Sequence, residues 1–130
     1  MAMNPSLTLA VLYTDTDGRA RFRDEAQALT EGSPLSRLSA LQASSGLQWR
    51  QSPVGFTSDF HCTTTPQWLV VLSGCMEIGL QDGSTRQFGP GQCFFSNDLL
   101  PSGAVFDPQV HGHCSRQVGD EPLCTLFVRI

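Results

Sequence analysis

The chain has 130 residues, a formal net charge of −4 and only 15% charged side chains, against roughly 25% in an average soluble domain. A negative balance lacks the basic footprint that nucleic acid or an anionic membrane surface requires. All eight basic residues are Arg, and the absence of Lys excludes Schiff-base chemistry, Ser-Lys dyads and a lysine-bearing phosphate loop. The length suits one domain spanning 1–130, with room for one moderate core. No stretch approaches the ~20 apolar residues of a membrane span. The apolar run Leu7–Leu12 contains Thr8 and no basic residue precedes it, so a secretory leader is not expected and a cytoplasmic location is. Five Cys, an odd set without Cys-x-x-Cys spacing, read as reduced thiols and mostly as small buried apolar residues.

In chain order the pattern is one of short alternating segments cut by turn residues. Leu7–Tyr13 reads as a strand, Asp15-Thr16-Asp17-Gly18 as a turn, and Arg19, Arg21 and Arg23 alternate with Ala20 and Phe22 on a second strand. Three Arg on one strand face suit a solvated face, a dimer contact or an anion. Asp24–Leu29 can make one or two helical turns. Leu35, Leu38 and Leu41 have helical spacing, while Pro34 and the Ser-rich flanks suit loop and strand equally. Leu47–Gln51 reads as a strand, and from Gly55 the pattern firms. Gly55–Thr63 reads as a strand, Thr65-Pro66 as a corner, and Gln67–Leu72 as an apolar strand. Ser73-Gly74 turns the chain, Cys75–Leu80 returns, and Asp82-Gly83 is a hairpin signal. Arg86–Phe88, the turn Gly89-Pro90-Gly91 and Gln92–Phe95 continue the meander. A loop follows with Pro101, Gly103 and Pro108, then His113–Val118, a Gly119–Pro122 turn and Leu123–Ile130. About nine or ten strands with almost no helix imply a closed or double-sheet antiparallel β-structure.

Three His are the whole imidazole supply, two of them in His111-Gly112-His113. Residues i and i+2 of a strand share a face, so His61 and Thr63 point one way and Cys62 the other. If alternation survives the Thr65-Pro66 corner, Gln67 joins His61. His61, Gln67 and His113 could then converge inside a barrel, and two imidazoles with oxygen donors suit Zn, Fe, Ni or Mn. Cys62 and Cys114 flank these positions but are expected to face away, which disfavours a Cys-His nucleophile pair.

Gly55, His61, Thr63, Gln67 and Gly74 resemble the first motif of the cupin superfamily, which reads Gly, His-x-His, Glu, Gly at this spacing. Thr63 stands at the second His and Gln67 at the Glu. Pro90-Gly91, His113, Gln117 and Gly119-Asp120-Glu121-Pro122 resemble the second motif, with Gln117 in place of Asn. Pro101-Ser102-Gly103 followed by Phe106 offers a competing alignment, in which Phe replaces the motif His. The Gly-Asp-Glu-Pro turn favours His113. The resemblance is weak over 24–54 and good over 55–130.

It implies an all-β fold, a cupin-type jelly roll or double-stranded β-helix barrel. It divides the chain into N-terminal strands and a weakly defined segment (1–54) and a motif core (55–130) with a loop insertion at about 97–110. It implies metal ligands at His61, Gln67 and His113, and dioxygenase- or isomerase-like chemistry on a small molecule. The lost carboxylate makes a metal-free, non-catalytic small-molecule binding protein the alternative. Thr63, His111, Asp98 and Phe106 are the expected substrate-binding residues. His111 is a third imidazole if its strand runs back through Gly112 and a loop residue otherwise. Asp98 is the best placed of Asp59, Asp98 and Asp107 for acid-base work. Leu99, Leu100, Val105 and Phe106 suit the inserted loop to lid the barrel or meet a partner subunit. The expected partners are a small-molecule ligand and a second copy in a homodimer.

Overall fold

β-branched and aromatic residues alternating with polar ones, punctuated by Gly, Pro and Asp, give strands throughout. The computed structural model describes residues 5–130, so the first four residues of the expected segment 1–54 lie outside it. Among the described residues there are eleven strands and no helix, hence none long and apolar enough to cross a membrane.

The strands β1 (Ser6–Thr14) and β2 (Ala20–Ala28) form a hairpin paired from Thr14↔Ala20 to Ser6↔Ala28. Asp24–Ala28, which could have made a helical turn, instead continues β2: β1 offers a complete hydrogen-bonding edge to that stretch. The Arg row on β2 is not free for an anion. Arg21 holds Asp15 and Asp17 at 2.9 and 2.8 Å, Arg23 holds Glu25 at 2.6 Å, and the Arg21 guanidinium keeps Asp17 well below the usual carboxylate range. Strands β3 (Glu31–Ser33) and β4 (Ser36–Leu38) make a small separate hairpin around Pro34-Leu35, leaving Leu35 and Leu41 exposed rather than on a helix face.

The remaining strands are β5 (Gly46–Ser52), β6 (Gln67–Ser73), β7 (Cys75–Gly79), β8 (Thr85–Phe88), β9 (Cys93–Asn97), β10 (Cys114–Val118) and β11 (Leu123–Arg129). One sheet has the order β2-β1-β9-β6-β11-β5, a second the order β10-β7-β8. The chain changes sheet between β6 and β7, between β8 and β9, between β9 and β10, and between β10 and β11. The core lies between the two sheets. Leu12, Leu69, Val71, Phe94 and Leu123 come from the large sheet, and Met76, Ile78 and Phe88 from the small one. The outward face of the large sheet is also apolar. Leu126 opposes Trp49 and Val128 opposes Leu47 across β11 and β5, with Trp49 70% exposed.

Gly55–Thr63, expected as a strand, is not one. It follows the free edge of β10, touching it in isolated pairings at Thr57↔Arg116 and His61↔His113. Gly55, at φ +88°, breaks the extended run, and the Gly55 N–H is captured by the Gln117 side chain at 2.9 Å. The same side chain donates to the carbonyls of Gly119 and Glu121, so Gln117 pins this segment to the β10–β11 turn. An irregular cover of this kind also blunts a sheet edge.

The β6–β7 corner requires glycine at position 74. Its φ is +78°, and a Cβ there would stand 2.5 Å from the Pro122 carbonyl oxygen. Gly74→Ala is expected to lower stability by about 2 kcal/mol or more, read as a lower urea midpoint at unchanged slope. On β7, hydrogen bonding to Arg116 holds the Glu77 carboxyl below its ordinary value. A depressed folded-state value means the contribution is present at neutral pH and is lost as pH falls through that value. The stability difference between the unsubstituted protein and Glu77→Gln is therefore expected at neutral pH and to vanish in acid, as denaturant midpoints at both pH values will show.

Candidate ligand-binding site

Between the sheets, toward the end where residues 61–64 cross, lies a cavity of about 220 Å³. Leu69, Met76, Ile78, Phe94 and Phe127 give it an apolar floor, and His61, Thr63, Gln67, Ser96, His113 and Arg50 give it polar walls. It opens toward a shallower apolar recess of about 600 Å³, walled by Leu99, Leu100 and Phe106 and sharing His61, Cys62, Thr63 and Thr64 with it.

The imidazoles are brought together by backbone. The His61 N–H donates to the His113 carbonyl at 2.9 Å and the His113 N–H to the His61 carbonyl at 3.0 Å. This pairing requires Gly112, whose φ is +85° and where a Cβ would stand 2.6 Å from the His61 carbonyl oxygen. The two ring centroids are 4.7 Å apart, inclined at 54°.

Each ring is oriented by its Nδ1. His61 Nδ1 lies 2.8 Å from the Asp59 carbonyl oxygen, which can only accept, so the neutral ring carries its proton there. His113 Nδ1 lies 2.8 Å from Asp98 Oδ2, with His113 5% exposed and Asp98 wholly buried. A carboxylate at that position fixes the Nδ1–H tautomer. In the neutral form of both rings Nε2 is then the acceptor nitrogen.

Asp98 is thus not the exposed loop carboxylate its position suggests, nor does it line the cavity. The Thr14 hydroxyl is shared between Asp98 Oδ1 and the Leu99 carbonyl at 2.8 Å each. The Thr63 N–H donates to the Asp98 carbonyl at 2.8 Å, and the Thr63 hydroxyl meets Ser96 Oγ at 2.8 Å. Asp98 sits behind His113 as a positioning residue. Thr63 lines the cavity with its hydroxyl engaged in the wall.

Gln67 reaches the cavity with no side-chain hydrogen bond among the described residues. Phe106 lines the outer recess. His111 lines neither cavity. The left-handed turn at Gly112 ends the alternation that would have aligned His111 with His113. Instead its Nδ1 accepts the Asp107 N–H at 3.0 Å and its ring packs against Gly18, bracing the 98–112 loop on the β1–β2 turn. Cys62, expected to face away, lines both cavities, because residues 61–63 do not hold strand geometry. Burial, with the Asp98 charge adding to it, pushes its thiol up, so it remains protonated at neutral pH and a poor nucleophile.

A divalent ion would find a short shell here. Two imidazoles and one neutral amide line the cavity, and no group of three His, Cys, Asp or Glu among the described residues is placed to hold a metal. The Arg50 guanidinium lines the same cavity, so a second cation would enter against like charge with no lining carboxylate to neutralise it. These residues do not fit a resident divalent cation.

Sequence reasoning missed Arg50 altogether. It lies on β5 opposite Thr125, with its guanidinium carbon 4.8 Å from the Phe56 ring centroid and 5.8 Å from that of Phe127. Nothing local distinguishes it from the other seven Arg.

The dependence of the site on Asp98 and Gly112 is open to test. In Asp98→Ala the buried His113 Nδ1–H loses its carboxylate acceptor, and the Thr14 hydroxyl keeps only the Leu99 carbonyl. The expected result is a loss of about 1–3 kcal/mol and a shift of the His113 proton toward Nε2 in imidazole ¹⁵N spectra. Gly112→Ala is expected to separate the two backbones, read as faster amide exchange at His61 and His113.

No protein-family model matches the sequence, and no curated protein matches it. Among solved structures the chain is similar to the cupin domain of Schizosaccharomyces pombe Cnp3, at 11% identity and a TM-score of 0.44, covering 96% of this chain and 84% of that one. The strand order itself, a six-stranded and a three-stranded sheet enclosing a core and joined by a chain that repeatedly changes sheet, makes this chain an all-β double-sheet jelly roll.

Proposed function

We propose that the protein binds a small organic molecule in the barrel cavity without a resident metal, the molecule donating hydrogen bonds to Nε2 of His61 and His113. The observation that carries this reading is the engagement of both Nδ1 atoms by acceptors, Asp59 O and Asp98 Oδ2, which turns two acceptor nitrogens toward one cavity with an apolar floor. A concave apolar site with a few fixed polar groups is the usual form of a small-molecule pocket. The Leu99, Leu100 and Phe106 recess supplies an apolar entrance. The same reading places a second copy of the chain against the apolar outer face around Trp49 and Leu47, where Trp49→Asp is expected to convert a dimer to a monomer in sedimentation.

Elemental analysis of tag-free protein, purified without chelators and again after reconstitution, tests the central claim. The expected result is no stoichiometric metal, with ¹⁵N imidazole signals of His61 and His113 that respond to organic ligands and not to added zinc. About one equivalent of Zn, Fe, Ni or Mn per chain, lost in His61→Ala or His113→Ala, would replace this reading with a metal centre.

A further inference from the structure

Eight Arg are present, and Arg19, Arg21, Arg23, Arg86 and Arg116 each meet a carboxylate within 4 Å. Arg37 and Arg129 are exposed. Arg50 alone is half-buried with no ion pair and no side-chain hydrogen bond among the described residues. It is nevertheless held in place, with its guanidinium over the Phe56 and Phe127 rings, and it lines the cavity of His61 and His113. Stacking on aromatic faces fixes the plane of a guanidinium while leaving its N–H edge free. A partly desolvated guanidinium with unused donors is suited to a planar anion, and a carboxylate matches its fork. No Asp or Glu lines the cavity, so nothing inside competes for that edge.

We propose that the ligand is a small hydroxy- or amino-carboxylate, its carboxylate on Arg50 and its O–H or N–H group donating to the imidazole Nε2 atoms. The proposal rests on the reading of the cavity as a metal-free ligand site. The Nε2 lone pairs repel a carboxylate and attract a donor, while Arg50 does the reverse, so one cavity sorts the two ends of such a molecule. The apolar floor takes the short carbon skeleton. Phosphate fits less well, since a single Arg leaves a dianion half neutralised beside Met76, Ile78 and Phe94.

Four probes separate these claims: mandelate, phenylacetate, mandelamide and inorganic phosphate, each titrated into the full chain and followed by calorimetry and the His61 and His113 ¹⁵N signals. Mandelate is expected to bind about tenfold or more tighter than mandelamide and than phenylacetate, and phosphate not to compete. Arg50→Gln should abolish the preference for mandelate over mandelamide. Arg50→Lys, which keeps the charge and loses the fork, should fall between; thermal melts of both variants establish that they are folded. If mandelate and mandelamide bind equally and Arg50→Gln changes neither, the carboxylate assignment is overturned while the imidazole site stands. If phenylacetate binds as tightly as mandelate and the imidazole signals do not move, the donor assignment and the reading beneath it both fail. Phosphate binding that Arg50→Gln abolishes, without mandelate binding, would make the site an inorganic anion site instead.

Discussion

A carboxylate with no access to water must find all its donors within the chain, and Asp98 finds them on segments far apart in sequence. His113 reaches it from the position just before β10, and Thr14 from the end of β1, while its backbone exchanges hydrogen bonds with Thr63. These contacts tie the β1–β2 hairpin, the crossing segment 61–63 and the 98–112 loop to one point. They also decide the chemistry of the cavity, because the atom that His113 offers inside is whichever nitrogen Asp98 does not hold. A structural requirement, satisfying a buried charge, and a functional one, fixing a tautomer, are met by the same bond.

The strands from Gln67 onward were legible because their boundaries are written locally. Ser73-Gly74, Asp82-Gly83 and Pro90-Gly91 each mark a turn whose glycine adopts a positive φ. The pairing of His61 with His113 within one cavity followed from motif spacing. What was not legible depends on distant contacts. Gly55–Thr63 alternates well enough to read as a strand, yet it meets β10 and the residue before it in only two isolated bridges and turns Cys62 inward. Asp98 reads as a loop residue because burial arises from Thr14, Thr63 and His113 together. Arg50 resembles any strand Arg until β5 is placed beside β11.

The low charge content has a spatial meaning in this fold. Most of the Arg and many of the acids neutralise one another at the surface, as in the Arg21–Asp17 and Arg116–Glu77 pairs. The large sheet is left apolar on both faces, one packed against the small sheet and the other open around Trp49. The cavity follows the opposite rule. It keeps one cation without its anion and two imidazoles without their second partner, a local imbalance that the rest of the molecule avoids.

The position of β5 has a kinetic corollary. This strand joins the sheet only through β11, its partner some seventy residues later in the chain, with pairs such as Arg50↔Thr125. During synthesis β5, and the edge of β6 that β11 covers, must remain unpaired until β11 emerges, and β11 brings Phe127 of the cavity floor with it. Non-local pairing of this kind is slow and leaves an apolar strand open to wrong neighbours. Arg50 therefore takes its place in the cavity only when this sequence-distant pairing of the large sheet forms, so the one cation of the site depends on the docking of β5 on β11.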